Sequence, residues 1–297
     1  MLIKYPKKLK LFYGIVFLLF QKIAFAIDLQ PGEIKAPIGS FYAAQISYLY
    51  VDKGDKYSHG NKTSDTSNIN QNAVLLRLGH AFEINQIPAY VYAQTSFNHM
   101  ENKNLSTNNL PIPDTNSNGI GDTTIAFALW PYANREKDEY FGVAGYVLLP
   151  TGDYDRNRAI NSGLNIYQTA FQAGYQRKLS DNINWMTAID TVISGNNNQY
   201  LVNNKLEKDP LYNFQTGLQY ILNPTYSISL GYFYTVGAES TINGQDQGDI
   251  TKIHRYQLTG QANYNFGSFT LQYGSEFANE NSYIEDQRLV ARYTLKF

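Results

Sequence analysis

The sequence predicts an all-β chain: a transmembrane antiparallel β-barrel of 12 strands, with 10 or 14 as the alternatives, behind a cleaved signal peptide. Three observations predict it. Apolar and polar residues alternate with period two through a dozen long stretches. Short and long connectors alternate between those stretches. The N-terminus has the layout of an export signal.

The signal comes first along the chain. Lys4, Lys7, Lys8 and Lys10 precede the apolar run Leu11 to Phe20, and Ala24-Phe25-Ala26 is a small-x-small cleavage pattern. A basic region, a short apolar core and a small-residue site mark a secretory signal peptide over residues 1–26. The run is too short for a spanning helix of about 20 residues. Cleavage after Ala26 removes five of the 24 basic residues and none of the 25 acidic ones, leaving a mature charge of −6. That balance argues against nucleic acid as a partner. The chain has no cysteine, so an exported protein of this sequence does not rest on disulfides. Charged residues make up 16% and tyrosines number 25. Soluble domains carry about 25% charged residues, so the composition suits a surface shared between lipid and water.

Residues 27–39, IDLQPGEIKAPIG, show no strand pattern. They are expected to lie at the periplasmic end or to enter the barrel as a plug, and nothing in the sequence decides which. The barrel proper is expected over residues 40–297. Alternating runs lie near residues 40–51, 71–84, 87–99, 121–131, 140–150, 165–178, 183–195, 210–223, 225–239, 253–266, 268–279 and 284–297. Ordinary strands average about 5–6 residues; a tilted strand crossing a bilayer needs about 9–11. In YQTAFQAGYQ, Tyr167, Thr169, Phe171, Ala173 and Tyr175 share one face, and Gln168, Gln172 and Gln176 the other. Short connectors are Asn85-Gln86, Leu179 to Asn182, Asn223-Pro224 and Gly267, with Tyr132 to Asp138 looser. Long polar connectors are Asp52 to Asn70, Glu101 to Ile120, Thr151 to Leu164, Asn196 to Asp209 and Ser240 to Lys252; Glu280 to Tyr283 is short where a long one is due. Short turns on one side and long loops on the other are the outer-membrane layout, with both termini on the periplasmic side.

The final strand, RLVARYTLKF, has Leu289, Ala291, Tyr293, Leu295 and Phe297 on one face. Closure requires it to pair with the first strand, because lipid tolerates no open edge. Its pattern also resembles the C-terminal targeting signal of bacterial outer-membrane proteins. The barrel-assembly machinery is therefore an expected partner, beside the bilayer itself.

Two stretches carry a family resemblance. NGIGDTTIAFALWPY, Asn118 to Tyr132, and EYFGVAGYVLLPTGDYD, Glu139 to Asp155, resemble the outer-membrane family named for the meta-pathway of phenol degradation. The resemblance implies a barrel in the outer membrane of a Gram-negative bacterium that passes aromatic or other hydrophobic compounds. Its motif residues here are Gly119, Gly121, Asp122, Pro150, Thr151, Gly152 and Asp153. The two early glycines permit a sharp bend into a strand, and Pro150 to Gly152 end the fifth strand in a turn. Structural punctuation is the favoured role over solute contact.

The expected function is passive passage of small solutes. The polar face supplies Gln168, Gln172, Gln176, Gln215, Gln219, Gln257, Gln261 and Gln272, and charges there are few and mixed: Arg77, Asp190, Arg255, Glu276, Arg288 and Arg292. An amide and tyrosine lining suits neutral or weakly polar solutes, since acidic sugars would call for a dense basic ladder. The Arg/Glu residues could equally brace the interior. Tyr42, Tyr48, Tyr50, Tyr167, Tyr175, Tyr226 and Tyr293 read as interface girdle residues. The alternative function is a structural or surface-interaction barrel, its lumen blocked and its outer loops binding a partner. No enzyme is expected: His59, His80, His99 and His254 have no triad-like neighbours. No cofactor or metal is expected either. Asp114, Asn116, Asn118, Gly119 and Asp122 match the first positions of a calcium loop, but Ile125 stands where the bidentate Glu belongs, and an Asx-rich loop is the favoured reading.

Overall fold

The computed structural model describes residues 28, 30–64, 68–103 and 116–297. The signal-peptide segment and Asp114 lie outside the described residues. Twelve long antiparallel strands form one sheet: β1 Phe41–Ser58, β2 Asn68–Ile84, β3 Ile87–Lys103, β4 Thr123–Asn134, β5 Glu139–Leu149, β6 Gln168–Ser180, β7 Ile183–Ser194, β8 Leu211–Ile221, β9 Tyr226–Gly237, β10 Thr251–Tyr264, β11 Gly267–Asn279 and β12 Tyr283–Lys296. Each pairs with its neighbours in sequence, and β12 pairs back onto β1, from Ala43↔Lys296 to Lys56↔Tyr283. Tyr42 and Phe297 exchange both backbone hydrogen bonds, at 2.8 and 2.9 Å. The terminal Phe297 thus completes the seam, and its ring lies 6.1 Å from that of Tyr42.

The period-two pattern sorts every strand into an outer and an inner face. On β10, Leu258 is 51% exposed while Gln257 and Thr259 are buried. Outward aromatics gather at both ends of the apolar band. Near the short turns, His80 stacks between Tyr42 and Phe82 at 4.3 and 5.4 Å, and Phe269 meets Tyr293 at 4.9 Å. Near the loops, His254 lies among Tyr232, Tyr234 and Phe277. The expected girdle tyrosines all sit on the outer face, Tyr50, Tyr175 and Tyr293 only half exposed.

Three expectations about the loops need correction. The segment Asp52 to Asn70 is largely strand: β1 runs on to Ser58 and β2 starts at Asn68. Backbone pairing needs no apolar face, so the hairpin continues into water after the alternation stops. Asn116–Ile120, within the Glu101 to Ile120 loop, is also a strand, pairing with Phe97 to Glu101 on β3. An extended segment cannot wrap an ion, so the described part of the calcium-like motif is neither a calcium loop nor an Asx-rich loop. Lastly, the two loops at Asn196 to Asp209 and Ser240 to Lys252 contribute Asn197–Tyr200, Asn204–Lys208, Ser240–Ile242 and Gln245–Asp246 to a separate four-stranded sheet. Tyr200, Leu206 and Ile242 form its small core.

The family-motif residues clasp one loop to the wall. Between the pairs Gln94↔Thr124 and Phe97↔Ile120, Thr95 and Ser96 face three residues, Gly121 to Thr123, making a bulge. The bulge frees Asp122 to accept the backbone N–H groups of Gly152 and Leu164 at 2.8 and 2.7 Å. Burial pushes the Asp122 carboxyl above the ordinary carboxylate range, although both amides pull it the other way. Asp153 accepts the Ile120 N–H at 2.7 Å, and Thr151 Oγ1 lies 2.8 Å from Thr123 Oγ1. The glycines provide room rather than a bend: a Cβ on Gly119 would lie 2.1 Å from Asp153, one on Gly121 2.2 Å from Ser96, and one on Gly152 2.8 Å from the Gly121 backbone. Pro150 follows the last residue of β5, as expected. The clasp folds the loop after β5 inward, burying Ala159, Ile160 and Ser162.

Two predictions follow from this arrangement. Leu258→Arg, on the lipid face near mid-strand, should destabilise the barrel by about 2–4 kcal/mol, read as a lower urea midpoint for unfolding from phospholipid vesicles. Asp122→Ala removes two charge-assisted hydrogen bonds and should cost roughly 2–3 kcal/mol locally. Faster proteolytic nicking between residues 151 and 164, with the barrel still heat-modifiable on gels, is the expected readout.

Candidate functional site

The lumen is the candidate site, because the inner face gathers almost all the polar side chains that the strands bury. It is not empty. Residues 30–37 lie inside it, held from opposite walls. On one wall, Gln261 Nε2 donates to the Pro31 carbonyl at 3.0 Å, and Gln272 Nε2 donates to Gln30 Oε1. On the other, Trp130 Nε1 donates to the Ile34 carbonyl at 2.7 Å. Ile34 is buried among Trp130, Tyr140, Met186 and Ala188. A Cβ on Gly174 would lie 3.1 Å from Ile34 Cδ1, so a side chain there would crowd it. Near the short turns, Arg135 donates to the Pro37 carbonyl at 3.0 Å and Lys35 pairs with Asp138 at 2.9 Å.

The segment also places two acids against the basic residues of the wall. Asp28 Oδ2 lies 2.7 Å from Arg255 and 3.4 Å from Arg288. Glu33 Oε1 lies 3.6 Å from Arg77 and 4.0 Å from Arg292. Arg288 also pairs with Glu285 at 3.3 Å. Magnitudes assign the roles. Burying Ile34 contributes about 1.5–3 kcal/mol, whereas buried ion pairs roughly break even against desolvation. Ile34 therefore anchors the segment, and the ion pairs fix its path.

Every sequence-predicted lumen residue lies on the inner face. Gln215, Gln172 and Asn213 surround Asp190, with Gln215 Nε2 donating at 2.7 Å and Asn213 Nδ2 at 2.5 Å. Tyr146 donates to Gln172 at 2.9 Å. Gln219 bonds Ser227 and Gln261, both at 3.1 Å. Gln272 and Gln257 meet at Thr259. Gln168 donates to Ser194 at 2.8 Å, and Gln176 is buried with its Oε1 unpartnered. Glu276 accepts from Asn279 and from the Glu285 N–H. Arg77 donates to Gln94 at 2.9 Å, and Arg292 to Ser47 at 3.3 Å.

The basic residues are less scattered than their sequence positions suggest. Arg255 on β10, Arg288 and Arg292 on β12, and Arg77 on β2 step along one wall: Gln257 and Arg288 share Gly274 as a partner, Arg292 faces Ser47, and Arg77 faces the neighbouring Gln45. The Arg77 guanidinium lies 4.1 Å from the Tyr92 ring centroid, and that of Arg255 4.4 Å from Phe233. The wall also has an apolar patch, Leu49, Val51, Ala73 and Val290, with Leu75 beside it. Sequence reading missed this patch and the inward aromatics Tyr92, Trp130 and Phe233. Strand parity could have found them: Leu49 and Val51 alternate with the outward Tyr48 and Tyr50.

Comparison with known proteins bears on this architecture. No curated protein matches the chain by sequence. A crystal structure of the COG4313 outer membrane channel from Pseudomonas putida F1 superposes with a TM-score of 0.85 at 24% identity, covering 91% of this chain and 100% of that one. The β domain of the Bordetella autotransporter BrkA superposes at 0.51 with 9% identity, covering 88% and 100%. These likenesses establish the fold, a closed antiparallel barrel. The family described as "Putative MetA-pathway of phenol degradation" matches residues 53–293, well over half of the chain, and the chain belongs to that family.

Proposed function

We propose that the protein is an outer-membrane channel for passive passage of small hydrophobic or aromatic solutes, with Asp28 and residues 30–39 belonging to a plug that must shift for solutes to pass. The observation that carries this reading is the way the lumen is filled. A barrel built only as a support could pack its interior with wall side chains. Here the centre is taken by one peptide segment, tied to the wall by side-chain bonds. The wall beneath offers amides, aromatic rings and the apolar patch of Leu49, Val51, Ala73 and Val290. That mixture suits solutes with an apolar body and one or two polar groups. The family description names phenol degradation, and the solved structure from Pseudomonas putida is that of an outer membrane channel; both support this reading. The C-terminal strand would be read by the barrel-assembly machinery.

The four-stranded sheet formed by two of the long loops gives the second reading its support, since an ordered outer surface could receive a partner. Flux separates the two. Liposomes holding the mature protein are compared with protein-free liposomes for entry of phenol-like aromatics, neutral sugars and small ions. The double substitution Asp28→Asn, Glu33→Gln loosens the plug and should raise small-solute flux by about ten-fold, on the scale of lost charge-assisted bonds. Ala188→Trp, which fills the lumen beside Ile34, should lower it. A folded barrel with no flux in any of these forms would point to the loops instead.

A further inference from the structure

The geometry points to the stepped arginines as a binding track for small aromatic monocarboxylates, which compete there with the protein's own Asp28 and Glu33. This inference rests on the channel reading and names a solute class for it. The track is Arg255, Arg288, Arg292 and Arg77. Two features of its present occupancy matter. Its occupants from the plug are carboxylates, so the track already recognises that group. Each plug carboxylate is also shared between two arginines, and the Glu33 contacts are long, at 3.6 and 4.0 Å, with its side chain 42% exposed. A free carboxylate that met Arg77 or Arg292 at bidentate distance would make stronger bonds than Glu33 does.

The surroundings specify the rest of the ligand. Tyr92 lies under Arg77 and Phe233 under Arg255, so each guanidinium is backed by a ring. Val290 stands between Arg288 and Arg292 on the same inward face, opening the apolar patch that continues through Leu49 and Val51 to Ala73. A carboxylate on the arginines would set its ring against that patch. Charge follows the same direction. With the plug seated, Asp28 and Glu33 join Glu285 and Glu276 beside the four arginines; with Asp28 and Glu33 withdrawn, the arginines lose two of these four acids and the wall becomes more positive. Binding and plug release are thereby linked, each favouring the other.

The test uses benzoate, with benzamide as the neutral isostere and acetate as the carboxylate without a ring. Binding is measured by titration calorimetry on the mature full-length protein in detergent, where no transport is needed. Benzoate should bind about ten-fold or more tightly than either control. Arg292→Gln and Arg77→Gln should each weaken benzoate by a similar factor and leave benzamide unchanged. Glu33→Gln, which alters the plug and not the wall, should tighten benzoate. In a Trp185→Phe background, Trp130 becomes the sole tryptophan; saturating benzoate should change its emission as the Ile34 contact is lost. Equal affinity for benzoate and benzamide, or benzoate binding indifferent to both arginine substitutions and to Glu33→Gln, would overturn the proposal. Neutral-solute flux from the liposome experiment would survive that result, whereas loss of flux with benzoate binding intact would count against the channel reading alone.

Discussion

Everything in this molecule depends on the pairing of β12 with β1. Inside a bilayer an unpaired backbone N–H or C=O has no water to turn to, and each one costs several kcal/mol. The seam from Lys56↔Tyr283 down to Ala43↔Lys296 removes the two edges that the twelve long strands would otherwise leave. Once it is shut, side-chain parity fixes which residues see lipid and which see the lumen. The girdle rings, the amide network and the arginine track are all consequences of that one register. A slip of one residue at the seam would turn Arg288 and Arg292 into the membrane and Leu289 into the channel.

The closed wall creates a second problem, since a lumen lined with buried polar groups must satisfy them. Much of this is done within the wall, as around Asp190, where side-chain amides replace water. The arginines need acids, and the segment ahead of β1 brings two of them. Its hold combines one apolar anchor at Ile34 with ionic contacts that contribute little net stability. That balance suits a part that stays put at rest and can still be displaced.

Much of this was legible in the sequence, because strand parity is local. All twelve strands, the short turns and the inward glutamines follow from alternation within single runs such as Tyr167 to Gln176. What alternation cannot carry is what several strands do together. Arg77 and Arg292 stand 215 positions apart and meet only through β1. The plug was undecidable because IDLQPGEIKAPIG has no period, and its place depends on partners such as Trp130 and Gln261 far along the chain. The long hairpin of β1 and β2 was read as loop for the opposite reason: beyond the bilayer the backbone goes on pairing while side chains no longer alternate. The motif glycines by sequence suggest a sharp bend into the strand. Gly119 and Gly121 instead leave room for Asp153, Ser96 and Asn98.

The plug also has a mechanical side. Gln261 and Gln272 grip it from β10 and β11, while Trp130 on β4 and the Gly174 backbone on β6 meet it from across the barrel. A member fixed to both sides of a thin cylinder is a strut, and it resists flattening of the cross-section. Glycines at 142, 145, 174, 217 and 231 leave the wall it braces short of side-chain bulk. Withdrawing the strut would therefore do more than clear a path. It would leave a softer shell, whose aperture follows the pressure of the surrounding lipid.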